Sequence, residues 1–376
     1  MAGLYVHIPF CASRCIYCDF FSSTSLGEWG ERYVSALLAE ARMRKGELQG
    51  EAVRTVYLGG GTPSQLPVPL LQRLVGGLGE VFDLTAVCEF TVEANPDDVS
   101  PQWCAALPPL GVNRVSMGVQ SLDNDVLRFM GRRHTAQQAM TAVATLRSAG
   151  ITNLSIDLMY GVPGQTLASW GATVRKALTL NVPHVSAYGL TYEVNTRLWH
   201  AREQGEVTEV PEDECIAMYH QLVHLLQQAG YEHYELSNFA HAGYHSRHNS
   251  SYWDDTPYLG LGAAAHSYDG HLRRSNPHSL RRYVTALERG ATVFDTEVVH
   301  DWERYDERVM LGLRTAHGVD AARLRRDLGD RRWHYLEQQA APHVRDGLLK
   351  RVGDCYVLTA RGELLADTVI RDLMSE

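Results

Sequence analysis

The sequence predicts an α/β protein: a partial (β/α)6 TIM-like barrel followed by a small C-terminal winged-helix-like α+β module. Three observations lead there. Short apolar runs recur through the first half, separated by amphipathic stretches at helical spacing, the rhythm of parallel strands joined by crossover helices. Polar residues stand where those runs end, and barrel sites lie at the C-terminal ends of strands. After residue 300 the pattern turns helical and then closes with a hairpin.

The strand-like runs are Leu4–Ile8, Thr55–Leu58, Cys88–Glu93, Arg114–Val119, Leu154–Met159 and His184–Leu190. Tyr33–Lys45 and Thr135–Ala149 carry apolar residues at helical spacing, the second stopping at Gly150. Glu93, Gln120 and Asp157 each end or follow an apolar run. Gly243–Asn276 breaks the rhythm, being rich in His, Tyr, Ser and Gly, and reads as a surface loop or a ligand-contact segment. Helices are expected near Tyr305–Arg314, Asp320–Leu328 and Arg332–Val344, then a hairpin turning at Gly353-Asp354, then a last helix from Arg361. The expected divisions are 1–240 for the barrel, 241–300 for a connecting segment and 301–376 for the module. Acidic residues among the module's arginines (Asp320, Asp327, Asp330, Glu337) favour a packing or lid role over DNA binding.

Composition narrows the class. The 376 residues are 45% hydrophobic, with a net charge of −9, which argues against a nucleic-acid partner. No run approaches the roughly 20 apolar residues that span a bilayer, and no secretory leader is visible. A cytoplasmic protein is expected, with peripheral membrane contact left open, and its seven cysteines read as ligands or buried thiols.

Three of those cysteines, Cys11, Cys15 and Cys18, follow the first strand with C-x3-C-x2-C spacing. Three thiolates on one loop leave one iron of a [4Fe–4S] cube open to a ligand. A zinc site with a remote fourth ligand is the alternative, although zinc sites favour C-x2-C pairs and the other cysteines are scattered. Gly59-Gly60-Gly61-Thr62-Pro63 follows the second strand. It reads as a tight turn or as a loop that meets a ligand's amino group, and no Gly-Lys-Ser marks it as a phosphate loop. A carboxylate such as Glu93 can accept from ribose hydroxyls, and Arg132 can pair with a carboxylate.

Together, the Cys11–Cys18 loop and the Gly59–Pro63 loop resemble the radical S-adenosylmethionine superfamily. That resemblance implies a [4Fe–4S] cluster on Cys11, Cys15 and Cys18, whose fourth iron chelates S-adenosylmethionine. Tyr5–Phe10, Gly118–Ser121 and Ile156–Thr166 are similar to the oxygen-independent coproporphyrinogen III dehydrogenase group, over nearly the whole chain. By match of motif, the resemblance implies S-adenosylmethionine contacts at Tyr5, Gly60, Gly61, Thr62, Glu93, Gln120, Arg132 and Asp157. Two departures count against the dehydrogenase. Phe20 stands where that enzyme carries a further cysteine, and the first strand starts by Leu4 with no long arm before it.

His248-Asn249-Ser250-Ser251-Tyr252-Trp253 matches the H-N-x-x-Y-W signature of the HemW group, haem chaperones of the same superfamily. The match implies haem as bound cargo, handed to acceptors such as respiratory enzymes, and a homodimer. His248, Tyr252 and Trp253 are the haem-contact candidates, since imidazole can ligate iron and flat aromatic area suits a macrocycle. His241, His245, His266 and His271 compete with His248 as axial ligand, or His248 simply pins a loop. No residue is assigned a catalytic role on the chaperone reading. The alternative is a radical enzyme acting on a porphyrin-like substrate, as oxidoreductase or methyltransferase; a weaker one is a DNA-binding regulator.

Overall fold

A computed structural model describes residues 1–375. Six parallel strands form the first half of the sheet: β1 (Ala2–Ile8), β2 (Val53–Gly60), β3 (Glu89–Ala94), β4 (Arg114–Gln120), β5 (Asn153–Tyr160) and β6 (His184–Gly189). Each pairs with the next in chain order, which is the (β/α)6 partial barrel expected. The alternation along β1 shows how it is built. Leu4, Val6 and Ile8 are fully buried, while Tyr5 and His7 touch the lumen side chains Tyr57, His248 and Phe21. Helices start where the sequence supplies caps: Thr135 and Thr166 each close a capping box.

The sheet continues on both flanks to twelve strands. Beyond β6 lies the antiparallel pair β7 (Glu232–Glu235) and β8 (Asn238–Ala240). Beyond β1 lies β9 (Tyr258–Leu261), parallel to it, then antiparallel β10 (His266–Tyr268), β11 (Leu272–Ser275) and β12 (Asp295–Val298).

Residues 241–300 are therefore no connector, and Gly243–Asn276 is no irregular loop. The segment holds the helix Arg247–Tyr252 and four strands of the sheet. Its Leu259, Leu261, Tyr283 and Val284 are buried in the barrel's own core. The strands are three or four residues long, too short to declare a period. A buried polar network holds the segment in place. Glu40, on the helix Leu26–Arg44, accepts from Arg44 (2.7 Å), Asn276 (2.7 Å), the Gly262 N–H (2.8 Å) and Tyr283 (2.6 Å).

The C-terminal module has its own core, built on Tyr305, Val309, Leu324, Leu336, Tyr356 and Val369 among others. Its small sheet runs β13 (Val319–Asp320), β15 (Cys355–Leu358), β14 (Leu349–Val352), packed by helices that include Asp301–Leu313 and Asp330–Arg345. It docks on the barrel through a bridge between Glu235 and Thr315 and the ion pairs Arg308–Asp255 and Arg273–Glu307. Among the described residues, no helix is long and apolar enough to cross a membrane.

Candidate functional site

The cysteine loop leaves β1 at Pro9 and is clamped at its base. Ser23 donates to the Pro9 carbonyl, and Cys11 N–H donates to the Ser23 carbonyl (2.9 Å). Its middle leans on distant segments: Ile16 N–H reaches the Met130 carbonyl (3.4 Å), and Leu198 N–H reaches the Ile16 carbonyl (2.9 Å). The three thiols are half-buried. Two have a donor aimed at sulfur. Thr62 Oγ1 donates to Cys11 Sγ (3.3 Å), and Arg132 Nη1 donates to Cys15 Sγ (3.4 Å). Burial pushes the Cys18 thiol up to about 11 and raises Cys11, so these two are neutral near pH 7 until something claims the sulfur. Among the described residues no three His, Cys, Asp or Glu side chains converge on one ion. A cube asks for a different arrangement, with each thiolate on its own iron.

The glycine loop is shaped by closeness to β1. Gly60 has φ +112°, and a Cβ there would lie 2.4 Å from the His7 ring. A Cβ on Gly61 would lie 2.8 Å from the Pro9 carbonyl carbon. The amides are not bare: Gly61 N–H donates to the Ile8 carbonyl (2.9 Å), and Gly60 N–H to Glu93 Oε2 (3.1 Å). The other Glu93 oxygen accepts from Tyr57 (2.7 Å). Glu93 thus locks the loop first and offers a ligand only its remaining lone pairs. Its burial raises its pKa.

Gln120 ends β4 with φ +63°, beyond a register shift against β5. A side chain in that region costs about 1–3 kcal/mol and persists where surroundings impose it. Arg132 is already engaged. Besides Cys15, it donates to Asn95 Oδ1 and to the Gly118 carbonyl. Its buried Nε has no partner. Asp157 lies inside β5 rather than at its end, level with Ser186. Burial, and then the charge of Glu93, push its carboxyl up to about 7.

Tyr5, Gly60, Gly61, Thr62, Glu93, Gln120, Arg132 and Asp157 therefore lie on β1–β5 or the segments that follow them; Thr62 and Arg132 touch the cysteine loop, while Tyr5 and Asp157 sit deeper, within their strands. Sequence reasoning missed two residues of this site, His7 and Asn95, and a third, Arg114, on the barrel floor. His7 Nε2 donates to the Phe21 carbonyl (3.0 Å), so its Nδ1 accepts from Tyr5 (3.0 Å), tying lumen to loop. Asn95 links Arg132 to Thr62, donating to Thr62 Oγ1 (3.2 Å). Arg114 is almost fully buried at the other end of the barrel, its Nε and Nη1 unpaired. The alternation of Tyr5 and His7 along an apolar run was the one signal available.

The H-N-x-x-Y-W segment lies at that other end. His248 is 0% exposed. Its Nδ1 is 2.8 Å from Thr55 Oγ1 and its Nε2 is 2.9 Å from the Tyr252 hydroxyl, so both nitrogens are taken. The ring stacks on Tyr57 at 5.1 Å, and Gly3 admits it by lacking a Cβ. Backbone N–H groups of Arg247 and His248 both donate to Glu89 (2.9 Å each). Burial, then the Arg114 charge, lower the imidazole to about 3. Thr55, Gly3 and Glu89 belong to the starts of strands, so in this arrangement the His248 ring sits on the barrel floor. Trp253 is partly buried with its Nε1 unpaired.

Known proteins share this architecture. The family model described as the radical SAM superfamily matches residues 5–177, and that of the HemN C-terminal domain matches residues 299–365. The heme chaperone HemW of Bacillus subtilis is 33% identical over 378 residues, covering 100% of both chains. That of Lactococcus lactis is 38% identical, covering 84% of this chain and 82% of its own. Among solved structures, the Escherichia coli coproporphyrinogen III oxidase HemN, a radical SAM enzyme, superposes with a TM-score of 0.85 at 24% identity, over 100% of this chain and 90% of its own.

Proposed function

The chain belongs to the HemW family of the radical SAM superfamily, and on that premise we propose that it is a haem chaperone, which binds haem and passes it to acceptor proteins such as respiratory haem enzymes. Full-length likeness to relatives named as heme chaperones carries the reading. Phe20 supports it: where the dehydrogenase group has a further cysteine, this chain presents an apolar ring that is 65% exposed. It is suited to covering a flat hydrophobic cargo and can ligate nothing.

Cys11, Cys15 and Cys18 hold a [4Fe–4S] cluster on this reading. The donor set fits. Two thiols already face Thr62 and Arg132, whose N–H and O–H groups would stabilise coordinated sulfur, and Arg132 keeps one buried N–H free. The bound cluster would supply an open iron for the amino and carboxylate groups of S-adenosylmethionine. Tyr5, Gly60, Gly61, Thr62, Glu93, Gln120, Arg132 and Asp157 then form the wall around that ligand. Tyr252 and Trp253 serve haem as aromatic surface, and His248 serves it by positioning Tyr252. The protein works in the cytoplasm, as a homodimer, in contact with acceptors at the membrane surface.

The test is anaerobic reconstitution followed by two additions. Haem should give a stoichiometric Soret band. Coproporphyrinogen III with S-adenosylmethionine and a reductant should give no turnover. Robust decarboxylation would overturn the chaperone assignment in favour of the dehydrogenase.

A further inference from the structure

Two of the three loop sulfurs take hydrogen bonds from one connected set of side chains, and Asn95 stands at its centre. Asn95 follows directly on β3. Arg132 Nη2 donates to Asn95 Oδ1, and Asn95 Nδ2 donates to Thr62 Oγ1 (3.2 Å). At the far ends, Arg132 Nη1 donates to Cys15 Sγ (3.4 Å) and Thr62 Oγ1 to Cys11 Sγ (3.3 Å). Cys18 stands apart and meets the backbone of Phe20 instead.

The direction of each bond follows from the groups. A guanidinium only donates, so the amide oxygen faces Arg132 and the amide nitrogen faces Thr62. Thr62 Oγ1, accepting there, keeps its single hydrogen for Cys11 Sγ. A carboxylate in place of the amide would accept from both sides. It would draw the Thr62 hydrogen to itself and leave Cys11 without it.

Asn95 is itself pinned. Pro96 follows it and holds its backbone extended, at φ −93° and ψ 145°. Its N–H donates to Ser64 Oγ (3.2 Å), which donates in turn to Asp98 (2.7 Å). Gly118 leaves room for the other end: a Cβ there would lie 3.3 Å from Arg132 Nη2 and 3.5 Å from Asn95 Oδ1.

We propose that Asn95 is a positioning residue for the iron–sulfur centre, aiming the Thr62 hydroxyl at Cys11 and the Arg132 guanidinium at Cys15 and so raising the reduction potential of the cluster. The inference rests on the reading of Cys11, Cys15 and Cys18 as cluster ligands. Hydrogen bonds and positive charge at the sulfurs favour the reduced, more negative state. One amide thus acts on two of the three sulfurs without touching iron.

The experiment is anaerobic redox titration of the reconstituted full chain, followed by electron paramagnetic resonance of the reduced cluster and resonance Raman spectra of the oxidised one. The variants are Asn95→Asp, Asn95→Leu, Thr62→Ser, Thr62→Val and Asn95→Asp combined with Thr62→Val, each matched to wild type in iron and sulfide content. Asn95→Asp should lower the reduced-to-oxidised ratio at fixed solution potential about tenfold, which is about 59 mV for a one-electron couple. The iron–sulfur stretches should rise as the sulfurs lose their hydrogen bonds. Thr62→Ser should keep the wild-type potential, and Thr62→Val should lower it. In the Thr62→Val background, Asn95→Asp should shift the potential less, because the hydroxyl it turns is gone. Should Asn95→Asp assemble no cluster, the uncharged Asn95→Leu is read in its place and should also lower the ratio. Wild-type potential and stretches in the Asn95 variants, or an equal Asn95→Asp shift in both backgrounds, overturns the aiming role and leaves the cluster reading standing. Failure of the wild-type chain to assemble a cluster on its three cysteines removes that reading and the role of Asn95 with it.

Discussion

His248 and Thr55, 193 residues apart, share a hydrogen bond of 2.8 Å on the barrel floor. The imidazole is a structural plug there, so His248→Ala should act first on stability. It leaves a cavity and strips partners from Thr55 and Tyr252. The cost should be about 2–4 kcal/mol in urea unfolding. Tyr252→Phe removes one hydrogen bond and should cost about 1 kcal/mol. Equal stability of wild type and His248→Ala would show that the plug holds nothing.

Gly60→Ala should disturb the cysteine loop from a distance. At φ +112° a side chain is strained by about 1–3 kcal/mol, and the new methyl would strike the His7 ring. His7 holds the Phe21 carbonyl, so the push passes to the loop. The variant should unfold at lower urea, and limited proteolysis should cut within residues 11–22 faster. Unchanged cleavage there would break the link from Gly60 through His7.

Much of this is legible in the residues, for reasons that also mark where legibility stops. The run Leu4–Ile8 is apolar because one face packs on helices, so it reads as β1 at once. Cys11, Cys15 and Cys18 are close in sequence, and proximity in the chain is proximity in space. Arg132 and Cys15 are 117 residues apart, and no local pattern reports their contact. The 241–300 segment escapes a reading by pattern for the same reason. Its strands draw order from β1 and from Glu40, not from their own periodicity. The motif singles out His248, but it does not say whether the ring faces cargo or the barrel floor.

Asp157→Asn should stabilise the cluster-free protein at neutral and alkaline pH. The folded carboxyl titrates near 7, above the usual value of 3.8 that the unfolded chain has. Between those values the folded state holds the extra proton. Stability therefore falls as pH rises through the window, and above 7 the buried charge carries its full cost of up to a few kcal/mol. His7 and His248 act in the opposite sense. Burial lowers them to about 4 and about 3, so their contribution is lost as pH falls below the ordinary histidine value of 6.5. Subtracting the wild-type midpoints from those of the Asp157→Asn variant cancels the histidines. The gap should be widest at pH 8 and close towards pH 4; a pH-independent gap would mean the Asp157 carboxyl titrates normally.

An ion pair and a buried carboxylate tie the helix Leu26–Arg44 to the 241–300 segment, and they should differ sharply in worth. Arg32 and Glu288 meet at 2.8 Å, but both side chains are more than 40% exposed. Water screens such a pair, and Arg32→Ala should leave the unfolding midpoint almost unmoved. Glu40 is 2% exposed and accepts from four donors. Glu40→Gln puts an NH2 against either Arg44 and Asn276 or Gly262 and Tyr283, leaving donors facing a donor. Breaking a buried, hydrogen-bonded charge pair costs about 3–5 kcal/mol. The β9–β11 flank should then exchange its amide hydrogens faster, while β3–β5 stay protected. Uniform loss of protection across the whole sheet would instead make Glu40 a support of the barrel at large.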